Sequence, residues 1–308
     1  MSVPIDVDEP RDDLVLLSNA SMRARHRPRT VALLWVWESL LALGVAWPIA
    51  TLVGASYGGH PHGDAVLWDR GGFALVDLVL RSHGALRALG ASVIVVALIA
   101  AIGGLFPASA ALTSIAYTTR ERTPPRMRDL VGRATRASRS FVILLVVTTI
   151  LQLLLLGAGY WFASVATYYV APRAGVVRGD EVAWIVVALF AALALVCGVA
   201  HDLARAAVVR FRVEGMHGFA LGLNVMRRGV VAPVWSWAWR ALVGAALLLV
   251  GSVVAERFGG KGGLALVALV VVHQAVVVAR VALRASWLAK ALRSVDEAHR
   301  VVRPTVSD

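Results

Sequence analysis

The chain has 308 residues, of which 58% are apolar, and it carries a formal net charge of +12. This composition, with its positive mean hydropathy, is too apolar for one water-soluble core of this size. The basic excess does not indicate nucleic-acid binding, because the arginines are not interleaved with aromatic residues on one soluble domain. Anionic inner-leaflet lipid is the expected partner for this charge.

Six long apolar runs separated by loops organise the chain. Each has about the 20 residues that an α-helix needs to cross a hydrocarbon core. The runs cover residues 31–54, 89–116, 140–166, 182–204, 231–255 and 263–283. The sequence therefore predicts an all-α integral membrane bundle of six transmembrane helices over residues 31–288.

Lysine and arginine residues divide unevenly between the two sides of this bundle. Twenty-three lie in the terminal segments and in the loops after the second and fourth runs, against seven in the other three loops. By the positive-inside bias both termini are cytoplasmic, which predicts a multi-pass protein of the bacterial inner membrane. Residues 1–30 and 289–308 are then cytoplasmic tails. The first run lacks an A-x-A site and is predicted to be an uncleaved helix.

The predicted cytoplasmic segments carry apolar residues at helical spacing. A short helix of this kind is predicted in the N-terminal tail, through Leu14 and Leu17. The same spacing precedes run three at Met127, Leu130, Val131, Ala134, Ala137 and Phe141, and run five at Met216, Phe219, Leu223 and Met226. These amphipathic helices are expected to lie either along an anionic leaflet or on the protein's own surface.

Residues 110–160 align with residues 200–250 at an offset of 90. The alignment matches Arg120 with Arg210, Arg122 with Arg212, and Gly132 with Gly222. It predicts repeated units of an amphipathic helix followed by a transmembrane hairpin. Chance alignment of two apolar hairpins with basic flanks is the alternative.

The first outer loop, residues 56–87, is predicted to hold a short helix in the outer headgroup region. Its residues His60, His62 and Asp64, with His83, have the side chains of a metal site. A flexible turn built from Gly, Pro and His is the alternative interpretation of the same residues, and no metal is predicted.

Sequence signatures of enzymes are absent. The chain has no phosphate-binding loop, no H-E-x-x-H helix, no G-x-S-x-G elbow and no C-x-x-C pair. The single cysteine, Cys197, lies within run four, where a small apolar packing role is expected. The sequence therefore predicts no catalytic residue and no cofactor.

Polar and ionisable side chains inside the runs are the candidate functional positions, because a buried charge is costly unless it is paired or lines a water-filled path. Glu38 in run one and Arg240 in run five lie at comparable depth, and we expect them to pair across the bundle. Nearby tryptophans favour snorkelling or a structural pair. A proton or substrate site is the alternative.

His273 and Gln274 lie near the centre of run six. A histidine at this depth can relay protons or contact a polar substrate. The simpler interpretation is a neutral imidazole that ties two helices together through a hydrogen bond to Gln152 or Thr148 of run three.

His201, Asp202 and Arg205 form a polar group at the inner end of run four. The i, i+3 spacing allows Asp202 and Arg205 to pair. Lipid-phosphate transferases need several aspartates along such a helix, and this segment has one. Small residues spaced along the same helix favour close approach of a neighbour; they are Ala188, Ala192, Ala200 and Ala204.

One segment is similar to a known family. A Glu-Gly step introduces a basic amphipathic helix, and the following run contains a Trp-Arg step. The residues are Val213, Glu214, Gly215, Gly218, Phe219, Ala220, Met226, Arg227, Arg228, Gly229, Trp239, Arg240, Ala241 and Leu242. Residues 110–290 thus resemble the membrane domain associated with glycerophosphoryl diester phosphodiesterases and its stand-alone bacterial relatives. The resemblance implies a six-helix membrane module and carries over no catalytic residue.

The sequence favours a non-enzymatic inner-membrane protein that acts as a scaffold or as a membrane subunit in lipid handling or transport. A transporter or permease subunit is the alternative, in which the helix after Glu214 docks a protein partner as a coupling helix does. Its spacing to Pro233 does not match the loop of ATP-binding-cassette permeases. An intramembrane enzyme that acts on lipid headgroups through His201 and Asp202 is the third hypothesis.

Overall fold

A computed structural model gives the fold of residues 14–18, 21–24, 27–59, 76–77, 80, 83–119, 123–258 and 263–300. Eight helices and two short strands are described over their full length, and residues 76–77 and 80 are also helical. The elements in chain order are β1 (Leu14–Leu16), α1 (Pro28–Tyr57), α2 (His83–Gly103), α3 (Leu105–Ala116), β2 (Tyr117–Thr119), α4 (Met127–Ala174), α5 (Val176–Phe211), α6 (Gly215–Arg228), α7 (Val231–Phe258) and α8 (Leu264–Arg300).

Six helical segments are long and apolar enough to cross a membrane. They are α1, the segment Gly90–Ala116 formed by α2 and α3, α4, α5, α7 and α8, and they confirm the six predicted runs. Large apolar side chains in the middle of these segments face outward; Ile94, Leu153 and Leu249 are each more than 60% exposed. Such exposure suits contact with lipid tails and is the pattern of a multi-pass membrane protein.

The second predicted run is divided in two at Gly104. Pro107 has no N–H to donate to the carbonyl of Gly103, so the regular helix is interrupted there. Gly103 also allows a close approach of α1, because a Cβ at this position would lie 2.5 Å from Cη2 of Trp37. The break therefore lies where the indole of α1 packs against the backbone.

The buried core lies at one end of the bundle. α4 has 48 residues and a length of about 70 Å, more than twice the hydrocarbon thickness. α4 packs with α3, α5 and α6, and α5 packs with α8. The largest fully buried side chains there include Trp287, Tyr117, Phe141, Leu203 and Leu292. We call this the basic end, because the arginine-rich segments meet there.

The N-terminal segment joins the basic end as a strand. Leu14–Leu16 pairs antiparallel with Tyr117–Thr119, where a short amphipathic helix was predicted. The cause is local: the chain leaves α3 in an extended conformation, and its backbone groups accept a partner strand. Leu14 is 6% exposed, so the strand adds apolar surface to the core.

The C-terminal segment also joins the core. α8 continues to Arg300, so residues 289–300, predicted as part of a tail, are helical. Leu292 and Val295 are buried, and Nη2 of Arg210 lies 2.8 Å from Oδ1 of Asp296. This pair is almost completely buried and ties α5 to the end of α8.

The two predicted amphipathic segments differ in structure. The first continues without a break into the apolar part of α4, whereas the second is the separate helix α6. One face of α6 packs on α5, with Gly218 against Val208 and Gly222 against Ala204. The internal repeat and the cytoplasmic orientation of these segments remain predictions.

The predicted outer helix and the hypothetical metal site fall mainly on residues outside those that the structure describes. His60, His62 and Asp64 lie in the omitted segment 60–75.

Candidate functional site

Polar side chains from two helices, α5 and α8, gather beside the core at the basic end. We call the group formed by His201, Asp202, Arg205, Arg284 and Trp287 the central polar cluster. α5 supplies the first three residues and α8 supplies the last two. Two cavities flank this cluster, and they bring together most of the polar positions that the sequence singled out.

Asp202 is the centre of the cluster. Arg284 donates two hydrogen bonds to it, from Nη1 to Oδ2 at 2.6 Å and from Nη2 to Oδ1 at 2.8 Å. Nε1 of Trp287 donates to Oδ2 at 2.8 Å. The carboxylate is 6% exposed, and a two-pronged arginine contact is among the strongest ways to satisfy a buried charge. The contacts fix the rotation of α8 against α5.

Arg205 lies beside this pair with fewer partners. Its Nη1 is 4.0 Å from Oδ1 of Asp202, so the predicted i, i+3 contact is at the limit of an ion pair, and Arg284 is the main partner of Asp202. The guanidinium lies over the ring of Phe141 at 5.4 Å. Its Nε is buried without a hydrogen-bond partner in the described part of the chain.

His201 ties α5 to α4. Its Nδ1 is 2.7 Å from Oγ1 of Thr148, and both residues are buried. One turn further along α4, Nε2 of Gln152 donates to the carbonyl of Ala194 at 3.1 Å. Thr148 and Gln152 therefore bind α5, and neither contacts His273 as the sequence analysis had proposed.

The first cavity, cavity A, lies between α1, α7 and α8 and has a volume of about 320 Å³. Four charged residues line it: Glu38, Arg240, Arg280 and Arg284. Trp237 and Trp287 form part of its wall. Positive charge exceeds negative charge in this lining, so cavity A favours an anionic occupant.

The second cavity, cavity B, lies between α4, α5, α7 and α8 and also has a volume of about 320 Å³. Its polar lining includes Thr148, Gln152, His201, Asp202 and Arg205. Trp237 and Arg284 line both cavities. The Arg284 side chain thus separates two polar spaces while it is bound to Asp202.

Arg240 and Glu38 line the same cavity but do not form the predicted pair. Nε of Arg240 donates to Oγ of Ser286 at 3.0 Å, and its Nη1 donates to Oγ of Ser236 at 2.8 Å. Glu38 lies in the electrostatic range of Arg280 and Arg284 instead. The Arg240 guanidinium thus binds hydroxyl groups of α7 and α8 and not the carboxylate on α1.

His273 and Gln274 lie apart from the cluster. Nδ1 of His273 is 2.9 Å from the carbonyl of Leu269 in its own helix, and the side chain is exposed. Gln274 accepts a hydrogen bond from Nε1 of Trp35 at 3.0 Å. The helix-tying residue of this pair is therefore Gln274, which joins α8 to α1.

Sequence reasoning missed the residues that complete the cluster. Arg280 and Arg284 were counted among the basic residues that set orientation, although their i, i+4 spacing places them on one face of α8. Trp287 follows Arg284 by three residues on the same helix. A search for charged residues at the end of an apolar run, spaced with a tryptophan on one face, would have found all three.

The arrangement can bind an anion but offers little for covalent chemistry. Arg280 forms no hydrogen bond with another described residue, so its donors are open to an occupant of cavity A. Asp202 is fully engaged as an acceptor, which makes it a poor nucleophile or base. The predicted run six ends at residue 283, so we expect these arginines to lie at the depth where lipid headgroups and tryptophan rings meet.

Comparisons with known proteins give no relative. No protein-family model, no curated protein and no solved structure matches the chain.

Proposed function

We propose that the chain is a non-enzymatic membrane protein that binds the phosphate-bearing headgroup of an anionic lipid in cavity A. It acts as a membrane subunit in lipid handling or transport. Its orientation in this proposal has both termini and the basic end in the cytoplasm, where anionic inner-leaflet lipids are concentrated. The residues that bind the headgroup are Arg240 and Arg280. Arg284 also lines the cavity, but its guanidinium is hydrogen-bonded to Asp202.

The excess of arginine in cavity A carries the proposal. Three arginines and one glutamate line this space, and Arg280 is not committed to a described hydrogen-bond partner. Guanidinium groups match the geometry of phosphate oxygens and are less strongly hydrated than ammonium groups.

A transporter subunit is the second candidate. The observation in its favour is that cavities A and B share Trp237 and Arg284, so release of Arg284 from Asp202 would join them. The exposed edge of α6, with Met216, Leu223 and Arg227, is a surface for the protein partner that such a subunit needs. An enzyme acting through His201 and Asp202 has less support, because their polar atoms bind Thr148 and Arg284.

The test is a calorimetric titration of the full chain, held in phosphatidylcholine nanodiscs, with glycerol phosphate as the headgroup without its acyl chains. We expect Arg280→Gln to weaken binding roughly tenfold, since one charge-assisted contact is lost. Arg257→Gln, an exposed arginine near the other end of α7, is the matched control and should bind as wild type does. Equal affinity of the two variants would refute the proposal.

A flux measurement separates the two candidates. The chain alone is reconstituted in liposomes, and movement of fluorescent phosphatidylglycerol between leaflets is followed. Binding without flux supports a scaffold or lipid-handling subunit. Flux that Arg280→Gln abolishes and Arg257→Gln preserves would move the transporter reading to first place.

A further inference from the structure

A third cavity, cavity C, is separate from the central polar cluster. It is formed by the start of α1, the segment α3 and the start of α4, and it has a volume of about 490 Å³. This volume is within the roughly 300–1,000 Å³ of ordinary ligand sites. None of the residues that line cavity C lines cavity A or cavity B.

Most of the lining of cavity C is apolar. The apolar side chains come from all three helices and include Leu33, Phe106, Ala110, Leu130 and Val131. Phe106 and Val131 remain partly exposed, at 38% and 43%. The cavity is therefore open at the side, as a crevice for an acyl chain at a membrane surface must be.

Two arginines, Arg27 and Arg29, stand at the polar part of cavity C. No aspartate or glutamate is among the lining residues. The hydroxyl groups of Thr30 and Ser114, which also line the cavity, bind each other at 2.6 Å. The polar part of the crevice therefore presents positive charge without a carboxylate to neutralise it.

Arg27 is the decisive residue. It is 9% exposed, and its one side-chain hydrogen bond with the described residues runs from Nη2 to the carbonyl of Tyr117, at 3.0 Å. Burial lowers the pKa of this guanidinium, yet arginine stays protonated in proteins. A buried cation that has one neutral acceptor and no ion-pair partner among the described residues is costly, so an anion beside it would remove a large penalty.

We infer that cavity C is a binding site for one anionic phospholipid, with an acyl chain in the apolar crevice and the phosphate on Arg27 and Arg29. The site is independent of the proposed function, because it shares no residue with cavity A. It differs from cavity A in its ligand requirement: the crevice needs the acyl chain, so a headgroup alone does not fill it. A lipid bound here would join α1, α3 and α4 where the N-terminal strand meets the core.

The experiment uses native mass spectrometry of the purified full chain in detergent, with added phosphatidylglycerol or phosphatidylcholine. We expect the first phosphatidylglycerol to bind roughly tenfold more tightly than phosphatidylcholine, since one or two charge-assisted contacts discriminate the lipids. Arg27→Gln should abolish this preference, and Arg27→Lys should retain part of it.

Ala110→Phe, which fills the crevice, should weaken the binding of both lipids. Arg128→Gln, an exposed arginine that does not line the cavity, is the matched control.

Location is tested with phosphatidylglycerol that carries a photoreactive group in its acyl chain. Crosslinks on peptides that contain Phe106 or residues 127–131 support the inference, and crosslinks confined to residues 241–248 of cavity A overturn it. An equal preference of wild type and Arg27→Gln for phosphatidylglycerol over phosphatidylcholine also overturns it, provided that both proteins show a cooperative thermal unfolding transition. If Arg27→Gln does not fold, Arg29→Gln, at an exposed position, carries the same test. Displacement of the lipid by millimolar inorganic phosphate would show a site for free anions and contradict the lipid assignment.

Discussion

At the scale of single residues, Asp202 determines whether the central polar cluster holds together. Its two oxygens accept three hydrogen bonds from α8, while Arg205 of its own helix remains at 4.0 Å. Because the carboxylate is buried, removal of either partner leaves an uncompensated charge inside the protein. Removing one charge of the Asp202–Arg284 pair should therefore lower the free energy of unfolding more than removing both charges does.

We expect Asp202→Asn or Arg284→Gln alone to lower the free energy of unfolding by about 3 kcal/mol, since each leaves a buried charge without its partner. The double variant should cost less than the sum of the two. Unfolding in mixed detergent micelles, followed by tryptophan fluorescence, measures all three. Arg178→Gln, which breaks an exposed pair with Glu181, is the control and should cost at most about 1 kcal/mol. Strict additivity in the double variant would argue against coupling.

The two intramembrane histidines should respond differently to substitution. Thr148→Val leaves Nδ1 of His201 without its buried partner, and we expect a loss of about 2 kcal/mol in unfolding free energy. His273→Ala removes a ring that binds only its own helix, so its effect should stay within about 0.5 kcal/mol. Thermal melts in detergent measure both variants. A large loss in His273→Ala with none in Thr148→Val would reverse the two assignments.

Residue identities within the candidate site were partly predictable, but their partners were not. Glu38, Arg240 and Asp202 were predicted as candidate positions because burying a charge in an apolar run costs free energy. The predicted pair of Glu38 with Arg240 failed because the spans are apolar on all sides, so the sequence carries little information on how each helix is rotated. Ser286 binds Arg240 and Arg284 binds Asp202 because of the way α8 packs, which only the three-dimensional structure reveals.

At the scale of elements, glycines decide how α6 docks. A Cβ at Gly222 would lie 2.7 Å from the backbone nitrogen of Ala204 and 3.1 Å from the carbonyl oxygen of Ala200. Two members of the predicted stripe of small residues on α5 therefore meet glycine on α6, and the approach is close enough that even one methyl group is not accommodated. The apolar residues that predicted this helix do not all face the protein, since Met216 and Leu223 are exposed.

We expect Gly222→Ala to lower stability by about 2 kcal/mol, because the new methyl group meets backbone atoms that cannot rotate away. Gly132→Ala is the matched control, since Gly132 occupies an equivalent position in the proposed repeat and a Cβ there meets nothing within 4 Å. It should raise stability by about 0.5 kcal/mol through helix propensity. The midpoint of thermal unfolding compares the two, and an equal gain from both would show that α6 is not docked on α5.

At the scale of the whole molecule, the chain separates a lipid-exposed part from a packed part. The structure confirms the spans predicted from run length, because a run of about 20 apolar residues has few alternatives to a membrane-spanning helix. The packed basic end was not predicted, since its core combines residues from the tails, from loops and from the ends of helices. Leu14 and Val295 are examples: both lay in predicted tails, and both are buried.

Orientation in the membrane is the remaining property of the whole molecule that can be tested directly. The strand pair of Leu14–Leu16 with Tyr117–Thr119 and the Arg210–Asp296 pair place both terminal segments at the basic end. The split of 23 against seven basic residues predicts the cytoplasmic side, because cytoplasmic loops retain lysine and arginine.

Single cysteines in a Cys197→Ala background give the test; the native cysteine is buried. Asp129→Cys, at the half-buried start of α4, and Ala174→Cys, at the exposed end of α4, lie at opposite ends of one continuous helix and control for each other. In intact spheroplasts a membrane-impermeant maleimide should label Ala174→Cys and spare Asp129→Cys, and in inverted vesicles the pattern should reverse. Gly175 itself is a poorer position, since its φ of +90° strains any side chain. Labelling of Asp129→Cys from outside would show that the topology is the reverse of the predicted one. Cavities A and C, with their lipid partners, would then lie at the outer leaflet.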